Sequence, residues 1–599
     1  MSRLDPHSYV DTDQARTRHI RLRWSVDFKR RSLEGEVLIE LDREASGTFD
    51  LDTKGLAIHW VRTAGGAAIP YQLGDEEPIL GRRLRLDLPA GTRTLAIAYA
   101  ASPEAVALQW LEPEQTSGKK HPLLFSQCQA IHARTIVPIQ DSPSIRMTYA
   151  AEVTVPTPLS AVMSAGPAGD WPGPAADTRT FRFEMPQRIP AYLIALAVGN
   201  LVSRDLSPRA RVWAEPEIVE SAAWELAGVE AMILAAEKLF GPYEWDRYDM
   251  LVLPHSFPFG GMENPRMTFL TPTLLAGDHS LVDVVAHELA HSWTGNLVTN
   301  ASMEHFWLNE GCTVWAERRI LEALHGSGAA VLGWAIGEKA LEQAIQRFGA
   351  DSPLMKLRTD LTGIDPDDAF SVIPYEKGAR FLALIERTAG RERFDEFVRA
   401  YIDRFRFTSM TSEQFMEFLE QRFPGMSERV NASAWLSEPG MPAGAPVFRS
   451  ETLDGLTSLA GAWSDGRRPS AEQIAAWKPA ERLVYMQHVP RPLSADDCAW
   501  LDSAFSLNAC GNYEILVEWL TIAASSDYAP SFNRIREVMA RVGRMKYLRP
   551  VFTAMGAHPR TRGLARDIFA AAAPSYHALS RRVIESILEK YPAEAAAGA

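Results

Sequence analysis

The chain has 599 residues, 46% of them hydrophobic and 23% charged, with a formal net charge of −13. That length suggests three or four domains, and the balance is that of a soluble globular protein with large cores. The acidic surplus argues against a nucleic-acid partner, which calls for a basic face, and no run of about 18 apolar residues offers a membrane span.

The opening residues, Met1-Ser-Arg-Leu-Asp-Pro-His-Ser-Tyr, lack the apolar segment of a secretion signal. A cytoplasmic protein is therefore expected. The four cysteines, Cys128, Cys312, Cys498 and Cys510, are scattered without CxxC spacing and read as reduced thiols.

The first third reads as β structure. Ile20, Leu22, Trp24, Val26 and Phe28 alternate with polar residues. A turn is expected at 31–35, after which Val37, Ile39 and Leu41 resume the alternation. Leu84, Leu86 and Leu88 are followed across Pro89-Ala-Gly91 by Leu95, Ile97 and Tyr99, and residues 147–155 form another strand candidate. Period-two patterning with glycine and proline turns predicts antiparallel sheet with one buried face. This β domain is placed at 1–200.

Near residue 220 the period changes. One helix is expected over 220–240, stopped by Gly241-Pro242, then strands at 248–254 and 267–271. Helical patterns follow at 280–293, 376–388, 392–405 and 412–423. Together they predict an α+β domain over 201–440 with a helix-rich second half. A Pro/Gly-rich linker at 441–449 leads to a C-terminal domain over 450–599. Its only periods are helical, as at 471–477, 513–522 and 532–542, and its alanine-rich end, 595–599, reads as frayed. The fold class is thus multidomain: β, then α+β, then all-α.

Chemistry concentrates in His287-Glu288-Leu289-Ala290-His291. Two histidines four apart share one face of a helix and reach a single metal ion. Glu288 points toward the same cleft, where it serves as general base for a water. Leu281, Val284, Val285 and Leu289 recur at helical spacing, and Gly295-Asn296 is the expected stop. A tetrahedral zinc with one open position needs a third protein ligand. Glu310, separated from His291 by eighteen residues, supplies it. A His2Glu set is the mark of a catalytic zinc, and one Zn2+ per chain is expected.

Upstream lies Gly260-Gly261-Met262-Glu263-Asn264, between two strand candidates. It reads either as a hairpin turn or as an edge strand that pairs with an extended peptide. In the second reading Glu263 caps the strand and takes a free α-amino group. Tyr375 offers a phenol donor for an oxyanion, but spacing alone does not separate it from an ordinary core tyrosine. Glu317, two helical turns past Glu310, is open to two readings: a partner behind a histidine ligand, or a surface residue.

The glycine-rich Gly261-Met-Glu-Asn264, the HExxH pair and Glu310 together resemble the M1 family of zinc aminopeptidases. The resemblance is closest to its leukotriene A4 hydrolase group and spans the whole chain. It rests further on Phe125-Ser-Gln-Cys-Gln-Ala-Ile-His132, Phe306-Trp-Leu-Asn-Glu-Gly311, Asp365-Pro-Asp-Asp and Gly543-Arg-Met-Lys546. It implies a thermolysin-like central domain and a set of roles. Tyr375 would stabilise the oxyanion, and Gln129 with Glu263 would hold the substrate amino group. Gly260, Gly261 and Met262 would pair with the peptide backbone. Asp367 would sit at the pocket floor, and Arg544 with Lys546 would hold a substrate carboxylate. The implied activity is removal of the N-terminal residue from short peptides by a zinc-activated water. A monomer without nucleic-acid or membrane partners is expected. Two alternatives stand beside it: a lipid epoxide hydrolase using the same pocket, and a non-catalytic peptide-binding scaffold. Phe259 and Phe370 stand where the vertebrate leukotriene enzyme of the family has tyrosine, which counts against the epoxide reading.

Overall fold

The computed structural model describes residues 5–592. The alanine-rich end read as frayed lies outside them.

The N-terminal part is built on an eight-stranded sheet. Its central strands, Thr17–Asp27, Ser32–Thr53 and Arg82–Ala101, lie side by side, and Arg146–Pro156 flanks the first. The alternation is visible in burial. Ile20, Leu22, Trp24 and Val26 are all buried, while the arginines between them face water. Pairing is antiparallel except between Thr17–Asp27 and Arg146–Pro156, which run parallel.

Two expected turns are placed differently. The first reversal falls at 28–31, where Arg31 takes a positive φ of 48° and Asp27 pairs with Ser32. Gly35 is not in a turn but inside the strand, opposite Trp24. A Cβ on Gly35 would lie 2.4 Å from the Tyr99 ring, so this glycine makes room for Tyr99, whose hydroxyl accepts from Trp24 Nε1 at 2.8 Å. Pro89-Ala-Gly91 is likewise no hairpin: the strand Arg82–Ala101 runs through it with register shifts against Ser32–Thr53, so the two long strands bend together at a bulge.

A four-stranded sheet (Leu108–Leu111, Leu123–Ser126, Leu196–Gly199, Ser160–Met163) leads to the central domain. There a five-stranded mixed sheet ends in the short strand Gly261–Met262 at its edge. Helices then take over. The helix expected over 220–240 is two, Val219–Glu225 and Val229–Phe240, broken at Leu226-Ala-Gly228. The break turns the Glu225 carboxylate inward, where it accepts the backbone N–H groups of Gly277 and His279 at 2.8 and 2.7 Å. Glu225 thereby anchors the loop that feeds the histidine helix.

Beyond Ser450 the described residues form helices and turns only. They enclose their own core around Val484, Leu516, Trp519, Val551, Phe552 and Met555, and Leu332 and Ala335 of the central domain's helix Ser327–Phe348 join it. The four cysteines are unpaired. No helix among the described residues is long and apolar enough to cross a membrane.

Candidate metal centre and active site

The histidine helix spans Asp283–Ala290, shorter than the expected 280–293, with His291 as its C-cap. The helix stops short of the expected Gly295, which instead shapes the turn behind His291. Gly295 has φ +123°, and a Cβ there would lie 2.6 Å from His291 Nδ1 and 2.5 Å from Asn309 Oδ1. Glu310 stands in the first turn of the next helix, Trp307–His325, beside the positive end of its dipole.

His287, His291 and Glu310 converge. The two Nε2 atoms are 3.2 Å apart, and Glu310 Oε2 is 3.3 Å from one and 3.5 Å from the other. His287 Nδ1 donates to Glu317 Oε2 at 3.1 Å, and His291 Nδ1 donates to the Thr294 carbonyl at 3.2 Å. With a carboxylate behind one ring and a carbonyl behind the other, both Nδ1 atoms are placed to donate, which turns both Nε2 atoms toward each other. Glu310 Oε2, buried, has no hydrogen-bond partner.

This arrangement is repulsive unless a proton or a metal ion lies between the three atoms. Ligands held at 2.0–2.1 Å in tetrahedral directions are separated by about 3.3–3.4 Å, which the three measured distances match. Electrostatics agree. Burial alone disfavours protonation of both imidazoles, yet the surrounding carboxylates raise His287 well above, and His291 above, the ordinary 6.5. The site therefore attracts positive charge, and its two-nitrogen, one-oxygen donor set suits zinc. Of the two readings for Glu317, the structure gives the partner behind His287.

Glu288 is buried beside the cluster, and burial ahead of all else pushes its carboxyl up to about 7. Gly261 is what admits it: a Cβ on Gly261 would lie 2.4 Å from the Glu288 carboxyl carbon. Gly260 leaves room for another group, since its Cβ would fall 2.6 Å from Arg544 Nη2. The strand Gly261–Met262 pairs with Thr268–Leu270 on one side only. The hairpin-turn and edge-strand readings thus merge: the glycines belong to an edge strand.

Glu263 follows at once. Its carboxylate, Glu288 and His291 offer ligand atoms within 4.8 Å of one another. Gln129 Nε2 donates to Glu263 Oε1 at 3.2 Å, and Met262 Sδ accepts from Gln127 Nε2 at 3.1 Å. Asn296 Nδ2 fastens the Glu263 carbonyl at 2.7 Å. Sequence reading took Asn296 only as part of a helix stop and missed that role.

Tyr375 lies in the first turn of the helix Ile373–Ala389. Its ring stacks on His287 at 6.0 Å and meets Phe306 and Phe370 edge-on, each at 6.0 Å. Burial, then the carboxylates of Glu310, Glu263 and Glu288, holds its phenol well above 10, so it stays a donor. Phe259 packs 5.9 Å from Phe370 and continues this aromatic wall.

Three further residues lie outside the metal cluster and are already engaged. Asp367 accepts from His132 Nε2 at 2.9 Å and from Arg582 Nη2 at 2.6 Å. Against the opposing effect of burial, its contacts with His132 and Arg582 hold its carboxyl below the ordinary range. Arg544, buried, donates to the Tyr547 hydroxyl at 2.6 Å, while the more exposed Lys546 pairs with Glu514 at 2.8 Å. Arg544 Nε has no partner. Nothing in the sequence marked Arg582 or Glu514; each acts across a separation only the fold closes.

Known proteins match this picture throughout. The Peptidase M1 N-terminal domain matches residues 15–193, the Peptidase family M1 domain 224–435, and the leukotriene A4 hydrolase C-terminal domain 477–588. The chain is 38% identical to leucine aminopeptidase 2 of Yarrowia lipolytica, over 98% of its own length and 93% of that protein's. To leucine aminopeptidase 2 of Neurospora crassa it is 37% identical, over 98% and 90%. The structure of yeast LTA4 hydrolase in complex with bestatin superposes with a TM-score of 0.90 at 32% identity, covering 98% of this chain and 97% of that one. An M1 zinc metallopeptidase of Deinococcus radiodurans, 20% identical with a TM-score of 0.57 over 73% of this chain and 96% of that one, shares the fold. With its β, catalytic and helical domains in this order, the chain belongs to the M1 family of zinc peptidases and has the three-domain architecture of leukotriene A4 hydrolase.

Proposed function

We propose that this M1 enzyme is a zinc aminopeptidase that removes the first residue of short peptides. The observation that carries the reading is Glu263: a buried carboxylate in one cluster with Glu288 and His291, at the end of an unpaired strand edge. A peptide added to that edge presents its α-amino group to Glu263 and Gln129, whose carboxylate and amide favour a free amino terminus at that point. Cleavage is thereby confined to the first peptide bond.

His287, His291 and Glu310 would hold one zinc ion per chain, and its Lewis acidity would lower the pKa of water and polarise a carbonyl. Glu288 accepts the proton of the attacking water and passes it to the leaving amine. Tyr375 donates its phenol hydrogen to the developing oxyanion. Gly260, Gly261 and Met262 offer backbone groups to the peptide. Arg544 and Lys546 are assigned to the carboxylate of a short peptide, a role supported by the unpartnered Arg544 Nε. Asp367 is assigned to the pocket floor, held there by His132 and Arg582. The same reading makes the enzyme a cytoplasmic monomer, in keeping with its unpaired thiols.

Glu263→Gln keeps the shape and removes the charge. It is expected to lower kcat/KM on leucine amide by about 30-fold or more, the cost of leaving a buried ammonium without its counter-charge. Activity within two-fold of the parent would place the amino-group anchor elsewhere. A second reading, opening of a lipid epoxide, draws on the similarity to yeast LTA4 hydrolase and on the apolar wall of Phe259, Phe306 and Phe370. Product analysis with an epoxide substrate tests it.

A further inference from the structure

Behind the metal cluster lies a chain of buried charges that the proposed mechanism does not use. Glu317 Oε2 accepts from His287 Nδ1 at 3.1 Å, and its other oxygen accepts from Arg318 Nη1. Arg318 Nη2 donates to Glu376 Oε1 at 3.1 Å and to the Gly333 carbonyl at 3.0 Å. Glu376 Oε2 in turn accepts from Arg380 Nη1 at 2.8 Å, and Arg380 Nη2 donates to the Trp334 carbonyl at 3.1 Å. Both guanidinium groups lie 5.5 Å from the Trp334 ring.

The helix Ser327–Phe348 is shaped for this network. A Cβ on Gly337 would lie 2.2 Å from the Glu376 carboxyl carbon, and one on Gly333 would lie 3.0 Å from Arg318 Nε. The same helix places Leu332 and Ala335 in the core of the C-terminal domain. Glu376 is the immediate neighbour of Tyr375 on its helix. One arginine therefore touches the carboxylate behind a metal-site histidine, the residue next to Tyr375, and the helix that borders the helical domain.

We propose that Arg318 is a positioning residue for the active site: it holds Glu317 against His287 and, through Glu376, fixes the Tyr375 helix relative to the metal centre. Its physical basis is geometric. A carboxylate with only a histidine to pair with can rotate, whereas one also held by a guanidinium anchored to Glu376 and a helix carbonyl keeps one orientation, and the imidazole with it. The inference rests on the reading of His287 as a zinc ligand.

The test is zinc affinity of Arg318→Gln and Arg318→Lys, read by competition with a chromophoric chelator, alongside kcat, KM and the thermal midpoint of the zinc-saturated enzymes. Arg318→Gln is expected to bind zinc 10–100-fold more weakly, the usual effect of losing such a partner. Its kcat should fall while KM on leucine amide stays within two-fold. Arg318→Lys should fall between, since an ammonium cannot serve both carboxylates in the same geometry. If Arg318→Gln fails to fold, Glu376→Gln carries the question: it should lower kcat and leave zinc affinity within two-fold. Unchanged zinc affinity and kcat in the folded Arg318 variants, even with a lower thermal midpoint, would overturn the proposal, as would unchanged kcat in Glu376→Gln. A parent protein that binds no zinc would instead defeat the functional reading beneath it.

Discussion

Glu288 stands one residue from His287, in the space that Gly261 leaves open, with its carboxyl pushed up to about 7 by burial. Glu288→Gln preserves that packing and removes the proton acceptor. It should retain zinc and lose on the order of 10²–10⁴ in kcat, the range of general-base contributions; turnover near the parent's, measured on zinc-saturated protein, would assign the base to another group. At this scale the sequence was most legible where chemistry is local. Two histidines four apart and a carboxylate after eighteen intervening residues fall on two adjacent helices, so their spacing was a usable signal. Tyr375 was not legible that way, because what places it is contact between two helices with no register in the sequence. Asn296 and Arg318 were missed for the same reason: their partners, Glu263 and Glu376, lie 33 and 58 residues away.

Among the elements, the crossing of the Glu310 helix and the Tyr375 helix is set by two glycines. A Cβ on Gly311 would lie 2.8 Å from Gly378 Cα and from the Pro374 carbonyl, and one on Gly378 would lie 2.9 Å from Gly311 Cα. The obstacles are backbone, which cannot rotate away. Gly311→Ala should destabilise the protein by about 1–3 kcal/mol and lower kcat by moving Tyr375 away from the metal side. Calorimetry and steady-state kinetics on one preparation check both; an unchanged kcat would mean that the crossing does not position Tyr375. The C-terminal helix Ala578–Lys590 carries a pH dependence. Its cap, His577, accepts the Leu579 N–H through Nδ1 at 3.2 Å, and burial lowers its pKa to about 3. Because the folded state refuses the proton that the unfolded chain takes near 6.5, this contribution is intact above about 6.5. It declines as pH falls toward 3. His577→Asn keeps a cap acceptor without the titration, so its urea stability should fall less between pH 7 and pH 4.5 than the parent's. Equal losses would assign the slope to other groups. Period and capping located most helices and strands, because both are short-range signals. The misplaced turn at 31–35 and the undivided helix at 220–240 share a cause. Gly35 answers to Tyr99 and the break at Gly228 serves Glu225, and both partners are tertiary.

For the whole molecule, the cleft is made by three domains at once. Gln129 and His132 come from the β domain, the metal cluster from the central one, and Arg544 and Arg582 from the helical one. The order of domains was readable from changes of period along the chain, and the family's motifs then tied the segments together. What composition and period could not supply is the wiring across domain borders, such as Asp367 held between His132 and Arg582. The most direct test of the account is hydrolysis of a panel of aminoacyl amides, each with a free and an acetylated amino group, with and without a zinc chelator. The account predicts cleavage of the free forms only, abolished by the chelator and restored by zinc. Cleavage of the acetylated forms at comparable rates would contradict it, since Glu263 would then not govern where the peptide begins.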